Sequence, residues 1–64
     1  MPIRLTDRQE EVLEHLFQGS NAAEIAEQLG LSVETVRVHT KRIFRKLDVH
    51  SRPELLAKRL RGEL

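Results

Sequence analysis

No cysteine, tryptophan or tyrosine occurs in this 64-residue chain, and phenylalanine occurs only twice, at Phe17 and Phe44. Without cysteine there is neither a disulfide nor a thiolate metal site to brace a fold. His15, His39 and His50 have no metal-ligand spacing. No metal, cofactor or catalytic residue is therefore expected, and the chain does not read as an enzyme. The scarcity of aromatics removes the anchors on which protein–protein hot spots are usually built. No apolar run approaches the roughly 20 residues of a membrane-spanning helix. No signal-peptide pattern opens the chain, so a cytoplasmic location is the default expectation. Repeats, low-complexity runs and Gly/Ser linkers are absent as well. A chain this short buries only a small core. Oligomerisation or a longer parent chain is the usual remedy.

What the chain does have is segregated charge. Its net charge is only +1, but residues 1–31 carry two cations against six anions, whereas residues 32–64 carry nine cations against four anions. Such an asymmetry points to one polyanion-facing side and one solvated acidic side.

Punctuation is dense, and it divides a single domain, residues 1–64, into four helices. Thr6 and Gln9 have the spacing of a capping box. Behind them Gln9, Val12, Leu13, Leu16 and Phe17 form a helical stripe that Gly19 stops, which predicts a helix over about 7–18. Asn21, with Glu24 three residues on, predicts a second helix over about 22–29, faced by Ile25, Ala26 and Leu29. Gly30, Leu31 and Ser32 are all that link it to a third helix over about 33–47, and Leu31 is placed to plug the corner. Ser51 and Glu54, with Pro53 in the first turn, begin a fourth over about 52–61, where Leu55, Leu56, Ala57 and Leu60 are apolar. The fold class expected is all-α.

The third helix has two distinct faces. At about 100° per residue, Val33, Val36, Thr40, Ile43, Phe44 and Leu47 share one stripe. Arg37, Lys41, Arg42 and Arg45 fall on the other side, and Val38 lies in their midst, about 200° from Val36. Arg37, Lys41 and Arg45 follow one another at i, i+4 and i+8, so their like charges repel. Glu34 is the one anion on this face, and pairing with Arg37 is its expected role; accepting from a cytosine amino group is the other reading. A like-charge ladder on a rigid helix suits an anionic partner. Duplex DNA fits best, because its major groove admits an α-helix while flanking cations neutralise phosphates.

The segments LTDRQEEVLEHLFQG, EIAEQLGLSVETVRVHTKRIFRKL and VHSRPELL together resemble the DNA-binding domain of LuxR/NarL/GerE-type transcription regulators. The resemblance covers about residues 5–60 and rests on Leu5-Thr6, Glu24-Ile25-Ala26, Leu31-Ser32, Thr35 to His39, Lys46-Leu47 and Ser51-Arg52. It implies a compact four-helix domain in which the second and third helices form a helix-turn-helix and the third reads the major groove. Base-edge contacts would come from Arg37, Val38 and Lys41. Phosphate contacts would come from Thr35, Arg42, Arg45 and Lys46, with the start of the second helix near Asn21 and Ala22. The fourth helix would pair two copies on inverted half-sites, with Leu55, Leu56, Arg59 and Leu60 at the seam. Glu34 stands where the family often has lysine, Asn21-Ala22 where it has a Ser/Thr-Asn type, Asp48 where it has glycine and Pro53 where it has threonine.

Two other readings compete. The fourth region of a sigma factor shares the RQEEVL and EIAEQLGLSVETVRV look, but that module ends soon after its recognition helix, whereas here a capped fourth helix follows. A helical protein-interaction module would dock the basic face on an acidic partner. The acidic face of the first helix, with Asp7, Glu10, Glu11 and Glu14, reads as solvated surface. RNA polymerase or a regulatory domain of a longer parent chain are the partners it could meet. His15 and His50 read as surface residues and His39 as a core-edge residue or a phosphate donor.

Overall fold

The structure, a computed structural model, describes residues 4–64. Four helices follow in order, α1 (Asp7–Phe17), α2 (Ala22–Leu29), α3 (Val33–Leu47) and α4 (Arg52–Leu60), with no strand among the described residues. The first and last end one residue earlier than the sequence pattern suggests. At the end of α1 the N–H groups of Gly19 and Ser20 donate back to Leu16 and His15, both at 3.1 Å. After α4, Gly62 and Glu63 do the same to Arg59 and Lys58. These bonds satisfy the last free carbonyls and close each helix before another turn can form.

Each helix start is fixed by its own side chain. Thr6 Oγ1 accepts from the Gln9 N–H at 3.1 Å, and Gln9 Oε1 accepts from the Thr6 N–H at 3.0 Å. Asn21 and Glu24 make the same reciprocal pair at 2.9 Å each. Ser32 Oγ accepts from the Thr35 N–H at 3.1 Å. At α4 the arrangement is a variant of the expected pair: Ser51 Oγ accepts from the Glu54 N–H, but the Glu54 carboxylate reaches back to the His50 N–H instead.

α3 packs against both α1 and α2. Val12, Leu16, Ile25, Ala26, Val36, Ile43, Leu47, Val49 and Leu55 form the buried cluster. Leu31 and the two phenylalanines are half-buried against it. Fully burying a side chain such as Ile25 or Ile43 contributes about 1.5–3 kcal/mol, a large share of the stability open to so small a domain. The corner between α2 and α3 turns on Gly30, whose φ of 67° is left-handed. A side chain there would strain the backbone, even though nothing lies where its Cβ would sit.

Two residues near the core were not read as such from the sequence. Val49, which the periodicity of no helix picks out, is only 3% exposed. Its N–H donates to the Phe44 carbonyl at 2.9 Å, closing the end of α3. A hydrophobic residue just past a left-handed helix end commonly packs back on the last turn, which is the signal that marks it. His15, expected on the surface, is half-buried, and its Nδ1 and that of His39 are buried without hydrogen-bond partners.

The left-handed residue that ends α3 is Asp48, at φ 55°. A carboxylate there also faces the negative end of the helix dipole. Lys58 offsets this by donating to the carbonyls of Leu47 and Asp48, both at 3.1 Å. Relief of the left-handed strain outweighs the extra chain entropy of glycine. Asp48→Gly should accordingly raise stability by roughly 0.5–1 kcal/mol in urea denaturation. A lowered midpoint would show that the aspartate side chain contributes something beyond its backbone.

Candidate nucleic-acid interface

With its inner stripe buried, α3 turns Arg37, Val38, Lys41, Arg42 and Arg45 outward, and all five are exposed. Val38 is 46% exposed, among the few large apolar residues that reach the surface. The ion pairs among the described residues are Arg8–Glu11 on α1 and Arg61–Glu63 after α4. None of the outward cations of α3 takes part in one. Glu34 is exposed on the same helix and does not pair with Arg37, contrary to expectation. The i,i+3 spacing allows the contact, but here the chain leaves both charges to solvent.

The other residues expected to meet phosphate are arranged differently from one another. Thr35 lies in the first turn of α3, and its hydroxyl oxygen accepts from the Ser32 hydroxyl at 2.8 Å. Its own proton is left to donate. Asn21 uses Oδ1 to cap α2 and keeps its amide N–H groups for a partner. Lys46 has partners within the protomer. Its ammonium donates to Gln9 Oε1 at 3.0 Å and to the Arg4 carbonyl at 3.2 Å. It ties the last turns of α3 to the start of α1 rather than standing free among the outward cations. Gln9, only 5% exposed, thereby has its oxygen shared between the Thr6 N–H and Lys46.

At the C-terminal end of the cationic face lies a pocket of about 300 Å³, lined by Lys41, Phe44, Arg45, Asp48, Val49 and His50. The seam residues expected on α4 are also split. Leu55 is fully buried and belongs to the protomer's own core, so it cannot face a second copy. Leu56 is 40% and Leu60 88% exposed. Arg59 lays its guanidinium 4.2 Å over the Phe17 ring, joining α4 to α1 through a cation–π contact. Lys58, at the foot of α3, was not singled out by its position in the sequence, because its role depends on where α4 folds back.

Two helices joined by a left-handed glycine corner, the second presenting a cationic face with no ion pair among the described residues, define a helix-turn-helix domain of the kind that binds DNA. The sequence model described as bacterial regulatory proteins, luxR family, matches residues 4–58. The chain belongs to this family. It is 50% identical over 48 residues to the nitrate/nitrite response regulator protein homolog of Haemophilus influenzae, which covers 75% of this chain and 23% of that protein. It is 45% identical over 58 residues to the uncharacterized response regulatory protein YgeK of Escherichia coli, covering 91% of this chain and 40% of that protein. With the transcriptional regulatory protein DesR of Bacillus subtilis it shares 43% over 54 residues, covering 84% and 27%. The chain thus spans less than half the length of these relatives. The family consists of DNA-binding transcription regulators and not of enzymes, and this chain is its helix-turn-helix domain. No helix among the described residues is long and apolar enough to cross a membrane.

The geometry of Lys46 can be tested apart from the rest. A residue that contacts phosphate contributes about 0.9 to the slope of log affinity against log salt. Lys46→Met should leave that slope unchanged while lowering stability by about 1 kcal/mol, through loss of the charged hydrogen bonds to Gln9 and Arg4. Arg42→Ala and Arg45→Ala should do the reverse. A slope reduced by Lys46→Met would place its ammonium on DNA after all.

Proposed function

We propose that this domain reads duplex DNA by laying α3 in the major groove. Arg37, Val38 and Lys41 meet base edges, and Thr35, Arg42, Arg45 and the start of α2 at Asn21 hold phosphates. The observation that carries the reading is the outward face of α3: exposed cations that form no ion pair among the described residues, surrounding one exposed valine. Arginine and lysine are suited to guanine O6 and N7, and an apolar side chain to the thymine methyl. A half-exposed valine among arginines has no stabilising role in the protomer, so its use is best sought in what the face touches.

Leu56 and Leu60, with Arg59 beside them, supply the seam through which two copies pair on DNA. Helix-turn-helix dimers bind inverted half-sites about one helical turn apart, roughly 34–36 Å between centres. The chain either stands alone or serves as the output portion of a longer cytoplasmic regulator, with RNA polymerase or a regulatory domain as a further partner.

Selection from randomised duplexes tests the reading directly. The wild-type chain should enrich inverted half-sites, and Val38→Ala should lose the preference for one A·T pair in each half-site. The same substitution should change folding stability by no more than about 0.5 kcal/mol, as expected of a surface position. Enrichment of no sequence would overturn the reading. A loss of 1 kcal/mol or more would place Val38 in a packed setting instead.

A further inference from the structure

Glu34 is the feature of the cationic face that the proposed function leaves unused. It is exposed in the first turn of α3, about one turn ahead of Arg37 and Val38. On the helix it falls about 160° from the buried Val36, between the directions of Lys41 and Arg45. Its carboxylate forms no ion pair and no side-chain hydrogen bond among the described residues. The nearest hydrogen bonds, between Ser32 and Thr35, close the helix start without it. A carboxylate with no hydrogen-bond partner among the described residues therefore points where a polyanion is to lie.

That position is unfavourable unless the groove supplies a donor. Residues at the start of a recognition helix are those that contact base edges. The donors on those edges are few: the N4 amino group of cytosine and the N6 amino group of adenine. Adenine sets an N7 acceptor beside its amino group, an arrangement suited to an amide. Cytosine offers its amino group alone, and that suits a carboxylate. Guanine and thymine offer only acceptors and a methyl group there, so a carboxylate is repelled by them as well as by the phosphates.

We infer that Glu34 is a specificity-determining residue that accepts from the N4 amino group of a cytosine in each half-site and disfavours every other base at that position. The inference rests on the DNA-reading function proposed above. It makes Glu34 act by exclusion as well as attraction: the charge lowers affinity for DNA in general and restores it only where the cytosine stands. A first-turn glutamate also steadies the helix through its dipole, but that role would not alter base preference.

The test is selection from randomised duplexes with the wild-type chain, E34Q and E34A, followed by fluorescence anisotropy on one enriched site and its single-base variants. The wild-type chain should favour cytosine at one half-site position by roughly tenfold, as a good base-edge contact does. E34A should abolish that preference, keep the preferences at the other positions, and bind nonspecific duplex more tightly. E34Q should weaken the cytosine preference and shift it toward adenine. Unchanged base preference at every position in E34A would overturn the role of Glu34 while leaving the DNA-reading function intact. A uniform loss of preference, with circular dichroism showing a disturbed helix, would reduce Glu34 to a structural residue. Failure of the wild-type chain to enrich any sequence would overturn both.

Discussion

The burial of Val36, Ile43 and Leu47 against α1 and α2 fixes the rotation of α3 about its own axis. A helix has one azimuthal freedom once its ends are set, and packing its apolar stripe removes it. Everything functional follows from that constraint. With the stripe inward, Arg37, Val38, Lys41, Arg42 and Arg45 have nowhere to point but solvent. The like charges are tolerated because water screens them and because the buried stripe contributes more than their repulsion costs.

The ends of α3 are held as firmly as its face. Gly30 and Ser32 set the angle at which the helix leaves α2, and Lys58 bonds the carbonyls where it stops. Lys46, through Gln9 and the Arg4 carbonyl, fastens it to the start of α1. A small domain with no disulfide thus spends two of its lysines on positioning. The cationic character of the second half of the chain is not all available to a partner, and the share that is available is concentrated on one face.

On the reading proposed above, charge on that face serves discrimination as well as attraction. A helix meant only to hold phosphates would gain from another cation at position 34. An isolated carboxylate in the first turn, and an exposed valine one turn on, both weaken general affinity for DNA or leave it unchanged. Each is suited to a feature that some base pairs present and others lack.

The order of the helices, their caps and the outward placement of Val38 were legible in the sequence because each is local: a cap spans three residues, and a helical face follows from spacing within one element. The same locality explains what was not legible. Leu55, Leu56 and Leu60 look alike on a helical wheel, but only Leu55 is covered by the rest of the fold. Lys46 looks like its neighbours Arg42 and Arg45 until the start of α1 is placed beside it. Glu34 and Arg37 have the spacing of an ion pair, yet their side chains stay apart. The sequence by itself determined the elements, their faces and the family. The tertiary structure decided which cations are free, which leucine is core and which lysine closes α3, because those outcomes depend on how the helices cross and where the chain folds back between them.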